Sequence, residues 1–187
     1  VIAGRTRRLA IFMSPRIGKS EAVTIRLPVY FLEANPTARV IIGAYNRDLA
    51  KHFTSQSLRI DRSRNPDMVA SEAQEEWITK AGGSVLSAGV GSGVTGKGAN
   101  LIIIDDPTKN YEEAVSMAYQ NRVWQWWTND MRTRVNDIAK TPVILIQCIA
   151  EGQRVLMGDG TWRTVESVMS GERVASYDFE NGFVSSP

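Results

Sequence analysis

The chain has 187 residues, 43% of them hydrophobic and 22% charged, and a formal net charge of +2. That composition suits one globular domain, or one domain plus a fragment. No apolar run approaches the ~20 residues of a membrane span, and a single cysteine excludes an internal disulfide, which fits a reducing compartment.

The basic opening leads into RLAIFM (8–13), whose apolar part is too short for a signal peptide and has no small-residue cleavage site after it; it reads as a strand. SPRIGKS (14–20) is a loop, and EAVTIRLPVYFLEA (21–34) is helix-like, with Pro28 arguing against one clean helix. ARVIIGAY (38–45) is a second strand, after which Asn46 can cap a helix through about Ile60. The polar stretch 61–80 is expected to be irregular before a short helix or hairpin around Trp77. GSVLSAGV (83–90) is a third strand, GSGVTGKGA (91–99) a glycine-rich loop, and NLIIIDD (100–106) a fourth strand. A long helix over 111–135 and a fifth strand, TPVILIQ (141–147), complete this part. Continuously apolar strands separated by helices predict an α/β fold with a parallel sheet covered on both faces.

At Cys148 the sequence changes. Residues 1–147 hold 19 Lys+Arg and 14 Asp+Glu, whereas residues 148–187 hold 3 and 6. The first part can face phosphate; the second has no such bias. The tail alternates at period two, and GDG (158–160) is a strong hairpin turn, so 148–187 reads as all-β. The coincident shifts place a domain boundary between 147 and 148. The start without Met and the ending GFVSSP suggest truncation at one or both ends.

Gly18-Lys19-Ser20 stands directly after a strand and before a helix, the order a phosphate loop needs. Backbone N–H groups at the helix start surround a phosphate, Lys19 supplies a point charge, and the Ser20 hydroxyl can ligate Mg²⁺. Met13 stands where the full pattern has glycine, so the motif is a variant, and a helix start without ligand is its bland alternative. LIIIDDP (101–107) carries two carboxylates at the C-terminal edge of a strand, where ligands of open α/β sheets bind. Asp105 would hold Mg²⁺ directly or through water, and Asp106 is placed to orient or deprotonate a water. Asp-Asp-Pro also makes turns and helix caps. Lys97 and Arg134 could meet phosphate, though solvated basic residues are the commoner case. VWQWW (123–127) is more often core packing than a base-stacking platform, and His52 has no assigned role.

The runs MSPRIGKSEAVTIRLPVYFLEANPTARVIIGAYNRDLA and GVGSGVTGKGANLIIIDDPTKNYEEAVS, with the tryptophan-rich helix and TRV after them, resemble the ATPase domain of phage large terminase subunits over roughly residues 1–147. The resemblance implies a P-loop ATPase of the additional-strand class. It would use ATP and Mg²⁺ to drive double-stranded DNA into a capsid in the bacterial host cytoplasm. Its partners would be phage DNA, the portal and the small terminase subunit, and the mature motor would be a homo-oligomeric ring. By position, Gly18, Lys19 and Ser20 match the phosphate loop, Asp105 the metal aspartate, and Asp106 the usual catalytic glutamate, one methylene shorter. Arg16 resembles an arginine that such motors use near the γ-phosphate.

CIAEGQRVLMGDGTWRTVESVMSGERVASYD, starting at Cys148, is similar to the opening block of an intein: a leading Cys, the small Ala150 two residues later, an apolar strand, the GDG turn and GERVASYD. EGQR departs from the more usual Gly-Thr or Asp-Thr. The resemblance implies that Cys148 attacks the Gln147 carbonyl to form a thioester, with Gln147–Cys148 as the splice junction. A small buried hydrophobe is the ordinary fate of a lone Cys. Splicing would need a C-terminal partner half carrying the missing intein part and the rest of the terminase. By the same reading, ATP hydrolysis by this chain alone is weak or absent. Two other readings remain: a small helicase-like P-loop ATPase with an accessory β domain, and a non-catalytic nucleic-acid-binding module.

Overall fold

The computed structural model describes residues 1–2, 6–13, 16–94, 96–148, 152–169, 172–178 and 182–186. Ser14 and Pro15 of the loop, Thr95 of the glycine-rich loop and Ala150 after Cys148 lie outside the described residues. The chain divides into two compact units, Val1–Gln147 and Cys148–Pro187.

The apolar runs of the first unit become strands β1 (Arg8–Met13), β2 (Arg39–Ala44), β3 (Val69–Glu72), β4 (Glu76–Thr79), β5 (Ser84–Gly89), β6 (Leu101–Asp105) and β7 (Val143–Cys148). They form one sheet in the order β1-β7-β6-β2-β5-β4-β3. β2 pairs in parallel with β5 and β6, and β6 with β7. The sheet is not wholly parallel: β3 and β4 form a hairpin whose second strand runs antiparallel to β5. That hairpin occupies the polar stretch around Trp77, and the chain seats it by burying Trp77 completely, with its indole N–H donating to Ser57 Oγ at 3.1 Å.

Alternate side chains of each central strand point to opposite faces, and both faces are apolar. Val40, Ile42, Leu101, Ile103, Ile144 and Ile146 belong to one core cluster, with Phe31, Leu32 and Phe53. Ile41, Ile102, Ile104 and Val143 belong to the other, with Trp126 and Met131. This double coverage explains why the strands read as continuous apolar runs.

A π-helical turn, Glu21–Arg26, leads into α1, Leu27–Ala34, with Pro28 in the first turn of α1. Proline has no N–H to donate, and the change of helical register occurs beside it. α2, Arg47–Arg64, is capped by Asn46, whose side chain accepts from Leu49 N at 2.8 Å; it runs past the expected end near Ile60. The expected long helix is broken into α3, Tyr111–Val115, and α4, Met117–Gln125, followed by a π turn, Trp126–Met131, and a 3-10 turn, Arg132–Arg134. Ser116 is extended at the break and accepts from Tyr119 N, as a capping serine does. Among the described residues no helix is long and apolar enough to cross a membrane.

In the second unit, β8 (Arg154–Leu156) and β9 (Trp162–Thr164) pair antiparallel, with Leu156 opposite Trp162. The turn between them contains Gly160 at φ 85° and closes through Met157 N to Thr161 O at 2.7 Å. A 3-10 turn, Val165–Ser167, follows, and β10 (Val174–Asp178) pairs antiparallel with β11 (Gly182–Ser186). The Arg163 guanidinium donates to Glu172 and to the Ser167 carbonyl, tying the hairpin to the segment after it.

Candidate active site

Parallel strands end at a common edge, and side chains on their last residues are delivered there together. At that edge Asp105 of β6 is in register with Ala44 of β2 and Ile146 of β7. β6 is buried along its whole length, so its final residue brings a carboxylate into an apolar layer.

Asp105 is fully buried. Its Oδ2 accepts from Thr24 Oγ1 at 2.5 Å, and the Ser20 side chain also hydrogen-bonds to the carboxylate. Its Oδ1 is buried and, among the described residues, has no hydrogen-bond partner. Burial, the largest influence, pushes its pKa above the ordinary carboxylate range, and the Asp106 charge adds to this. The Thr24 and Ser20 hydrogen bonds and the Lys19 charge oppose the rise without cancelling it.

The helix that follows the loop brings Lys19, Ser20 and Thr24 to this carboxylate. Gly18 takes φ 86°, a conformation glycine adopts freely, and its carbonyl accepts from Ala22 N at 2.9 Å as the helix begins. Lys19 is buried, 7% exposed, which is unusual for lysine and places its charge within reach of Asp105. Arg16 has φ 64° and is exposed; among the described residues it has no hydrogen-bond or ion-pair partner. Asp106 sits at φ 44°. Its N–H donates to Ile146 O at 2.9 Å and its carbonyl accepts from Tyr45 N at 3.2 Å, so the backbone is held from both neighbouring strands.

The other candidates separate. Lys97 pairs with Glu76. The Arg134 guanidinium lies against the Thr133 hydroxyl at 3.1 and 3.2 Å. Trp126 is buried against β2, and a Cβ at Gly43 would stand 2.7 Å from its ring; Trp124, by contrast, is 63% exposed. His52 is exposed on α2 with its ring edge-on to Phe53. Gln147 Nε2 donates to Thr108 Oγ1 at 3.5 Å, and Cys148, half-buried, is the last residue of β7. Sequence reasoning missed Thr24. Its spacing of four residues from Ser20, on one helix face, was the available signal.

An unpartnered oxygen on a buried carboxylate beside a serine hydroxyl fits a hard cation. Among the described residues no group of three or more His, Cys, Asp or Glu could hold a metal ion. A cation here would therefore complete its shell with phosphate oxygens and water, as Mg²⁺ does.

No curated protein matches the chain. Its fold is similar to the large terminase ATPase domain of Thermus phage P74-26, with a TM-score of 0.53 and 16% identity, covering 75% of this chain and 59% of that one. An arginine-to-alanine mutant of the same domain matches with a TM-score of 0.55 and 16% identity, covering 89% of this chain and 68% of the other. The chain thus spans about three fifths of the length of the first of these, and at such identity the likeness speaks for the fold alone. The family model described as terminase large subunit, T4likevirus-type, N-terminal, matches residues 10–141, well over half of the sequence. The chain belongs to that family and carries its N-terminal domain.

Proposed function

We propose that residues 1–147 form the nucleotide-hydrolysing part of a DNA-packaging motor, built on a P-loop sheet of the additional-strand class. The observation that carries this is the convergence of Lys19, Ser20 and the open oxygen of Asp105 at the C-terminal edge of the sheet. β7 supports the class assignment, because it lies between β1, which leads into the loop, and β6, which ends in Asp105. Gly18 and the helix start would offer N–H groups to the phosphates, Lys19 would neutralise their charge, and Ser20 and Asp105 would hold Mg²⁺. The metal, when bound, polarises the phosphoryl oxygens. Asp106 orients the attacking water and takes its proton, and Arg16 reaches the γ-phosphate from the loop. A cleft of about 440 Å³ at the ends of β2 and β5 is walled by Arg47, Lys109 and Arg122 against one acidic residue, Glu113, a net positive lining that suits a DNA backbone. Phage DNA, portal and small terminase subunit are the partners, a ring of copies is the working state, and the host cytoplasm is the place. Titration with a fluorescent ATP analogue in Mg²⁺ tests the site. Binding by the parent and its loss in Lys19→Ala is expected; equal binding by both refutes it.

Residues 148–187 are read as the N-terminal part of an intein. The division of the chain at Cys148 and the antiparallel hairpins after it support this. The Cys148 thiolate attacks the Gln147 carbonyl carbon, a C–S bond replaces the C–N bond, and the released nitrogen takes a proton to become the amine of Cys148. Mixing with a C-terminal intein half and weighing the products tests it: loss of the tail with a new peptide joined to Gln147 is expected. An unaltered chain, or ligation that persists in Cys148→Ala, refutes it.

A further inference from the structure

Thr24 is none of the candidate residues read from the sequence, yet its side chain reaches the site. It is completely buried, one turn beyond Ser20, in the π-helical turn Glu21–Arg26. Its hydroxyl donates to Asp105 Oδ2 at 2.5 Å, across a separation of 81 residues. The same carboxylate leaves Oδ1 buried and, among the described residues, without a partner. One oxygen is therefore anchored and the other open.

That division suits a ligand that must present one lone pair in a fixed direction. A carboxylate turns about its Cβ–Cγ bond, and a donor on one oxygen sets the angle of the other. Ser20 also bonds this carboxylate, but a hydroxyl that ligates a cation divides its geometry between two tasks. Thr24 has one task. The wider π turn brings Thr24 over the strand end, and such turns concentrate at functional positions.

Resting on the cation site described above, we infer that Thr24 is a positioning residue that fixes the Asp105 carboxylate so that Oδ1 faces the divalent cation accompanying a nucleotide. Loss of an outer hydrogen bond of this kind typically weakens metal binding by about 10–100-fold.

The test uses the 187-residue chain, a fluorescent ATP analogue, and Mg²⁺ as the titrant. Thr24→Val keeps the branched shape and removes the donor. It should bind the nucleotide like the parent in EDTA, and require at least about 10-fold more Mg²⁺ for half of the Mg²⁺-dependent gain in affinity. Thr24→Ser keeps the donor and should stay within about 3-fold of the parent. A Mg²⁺ midpoint in Thr24→Val equal to that of a Mg²⁺-responsive parent overturns the inference alone. So does a Thr24→Ser midpoint displaced as far as that of a folded Thr24→Val, or, should Thr24→Val not fold, displaced by about 10-fold from the parent. A parent whose nucleotide binding ignores Mg²⁺ overturns the cation site and this inference with it.

Discussion

Asp105→Asn separates what the site costs the fold from what it does. Without a ligand, the parent holds a fully buried carboxylate with one oxygen unpartnered. A buried acceptor left unmade costs about 1–3 kcal/mol, and more when charged. The substituted amide keeps an oxygen to accept from Thr24 and Ser20; its N–H group takes the place of Oδ1 and is equally unpartnered, so the substitution removes the buried charge alone. A gain of about 1 kcal/mol near neutral pH is expected, a rise in Tm of roughly 2–4 °C for a chain of this size. Thermal unfolding followed by circular dichroism, without nucleotide, reads that gain. The same sample should lose the Mg²⁺-dependent part of its nucleotide affinity, so stability and function move in opposite directions. A ligand-free variant that melts at or below the parent temperature would show that Asp105 is already compensated, and the reasoning would fail.

Asp61 on α2 is also buried, with Oδ2 unpartnered. Burial raises its pKa most, the hydrogen bond from Asn65 opposes this, and the Glu33 charge adds to the rise. A raised carboxyl contributes stability that is full below its ordinary value of 3.8 and is lost as pH rises through the folded value. Asp61→Asn should therefore be more stable than the parent near neutral pH and approach it in acid; urea titrations across that range would expose a gap that fails to close. Trp126→Ala empties a buried site over Gly43 and should cost about 3–5 kcal/mol, whereas Trp124→Ala, at an exposed ring, should stay within about 0.5 kcal/mol in the same urea assay. Asp106→Glu puts a residue with little tolerance for positive φ at a left-handed position and should cost about 1 kcal/mol, while Asp106→Gly should not; equal melting temperatures for the two would contradict the backbone argument.

The central strands were legible because burial on both faces leaves no polar residue inside them, and the β6 carboxylates stood out for the same reason. Asn46 was legible because capping is local chemistry. The breaks were harder to read. Ser116 interrupts a stretch with helical character throughout, and nothing nearby in sequence marks it until its hydroxyl caps Tyr119. The β3–β4 hairpin looks polar because most of it is exposed; its anchor is one tryptophan whose partner, Ser57, lies on α2. Thr24 was missed for a different reason: a four-residue spacing from Ser20 occurs in any helix, and what gives it meaning is a bond to Asp105, 81 residues away on β6.

The bland account of these motifs was a helix start without ligand and an Asp-Asp-Pro turn. A turn or cap aspartate uses its oxygens on nearby backbone N–H groups and sits in water, as Asp159 does in its turn, where the Thr161 hydroxyl and N–H hold its carboxyl below the ordinary range. Asp105 does the opposite on each count: it is buried, its pKa is raised, and one oxygen has no donor. The helix-start lysine is likewise buried instead of solvated. Among the described residues, the non-glycine positions with positive φ are Arg16 in the loop and Asp106 directly after β6. Such backbones cost about 1–3 kcal/mol each and persist where surrounding structure enforces them. A fold selected only for stability would relax these features singly; the buried Lys19 and the buried, raised Asp105 together are what the proposed anion-and-cation site calls for.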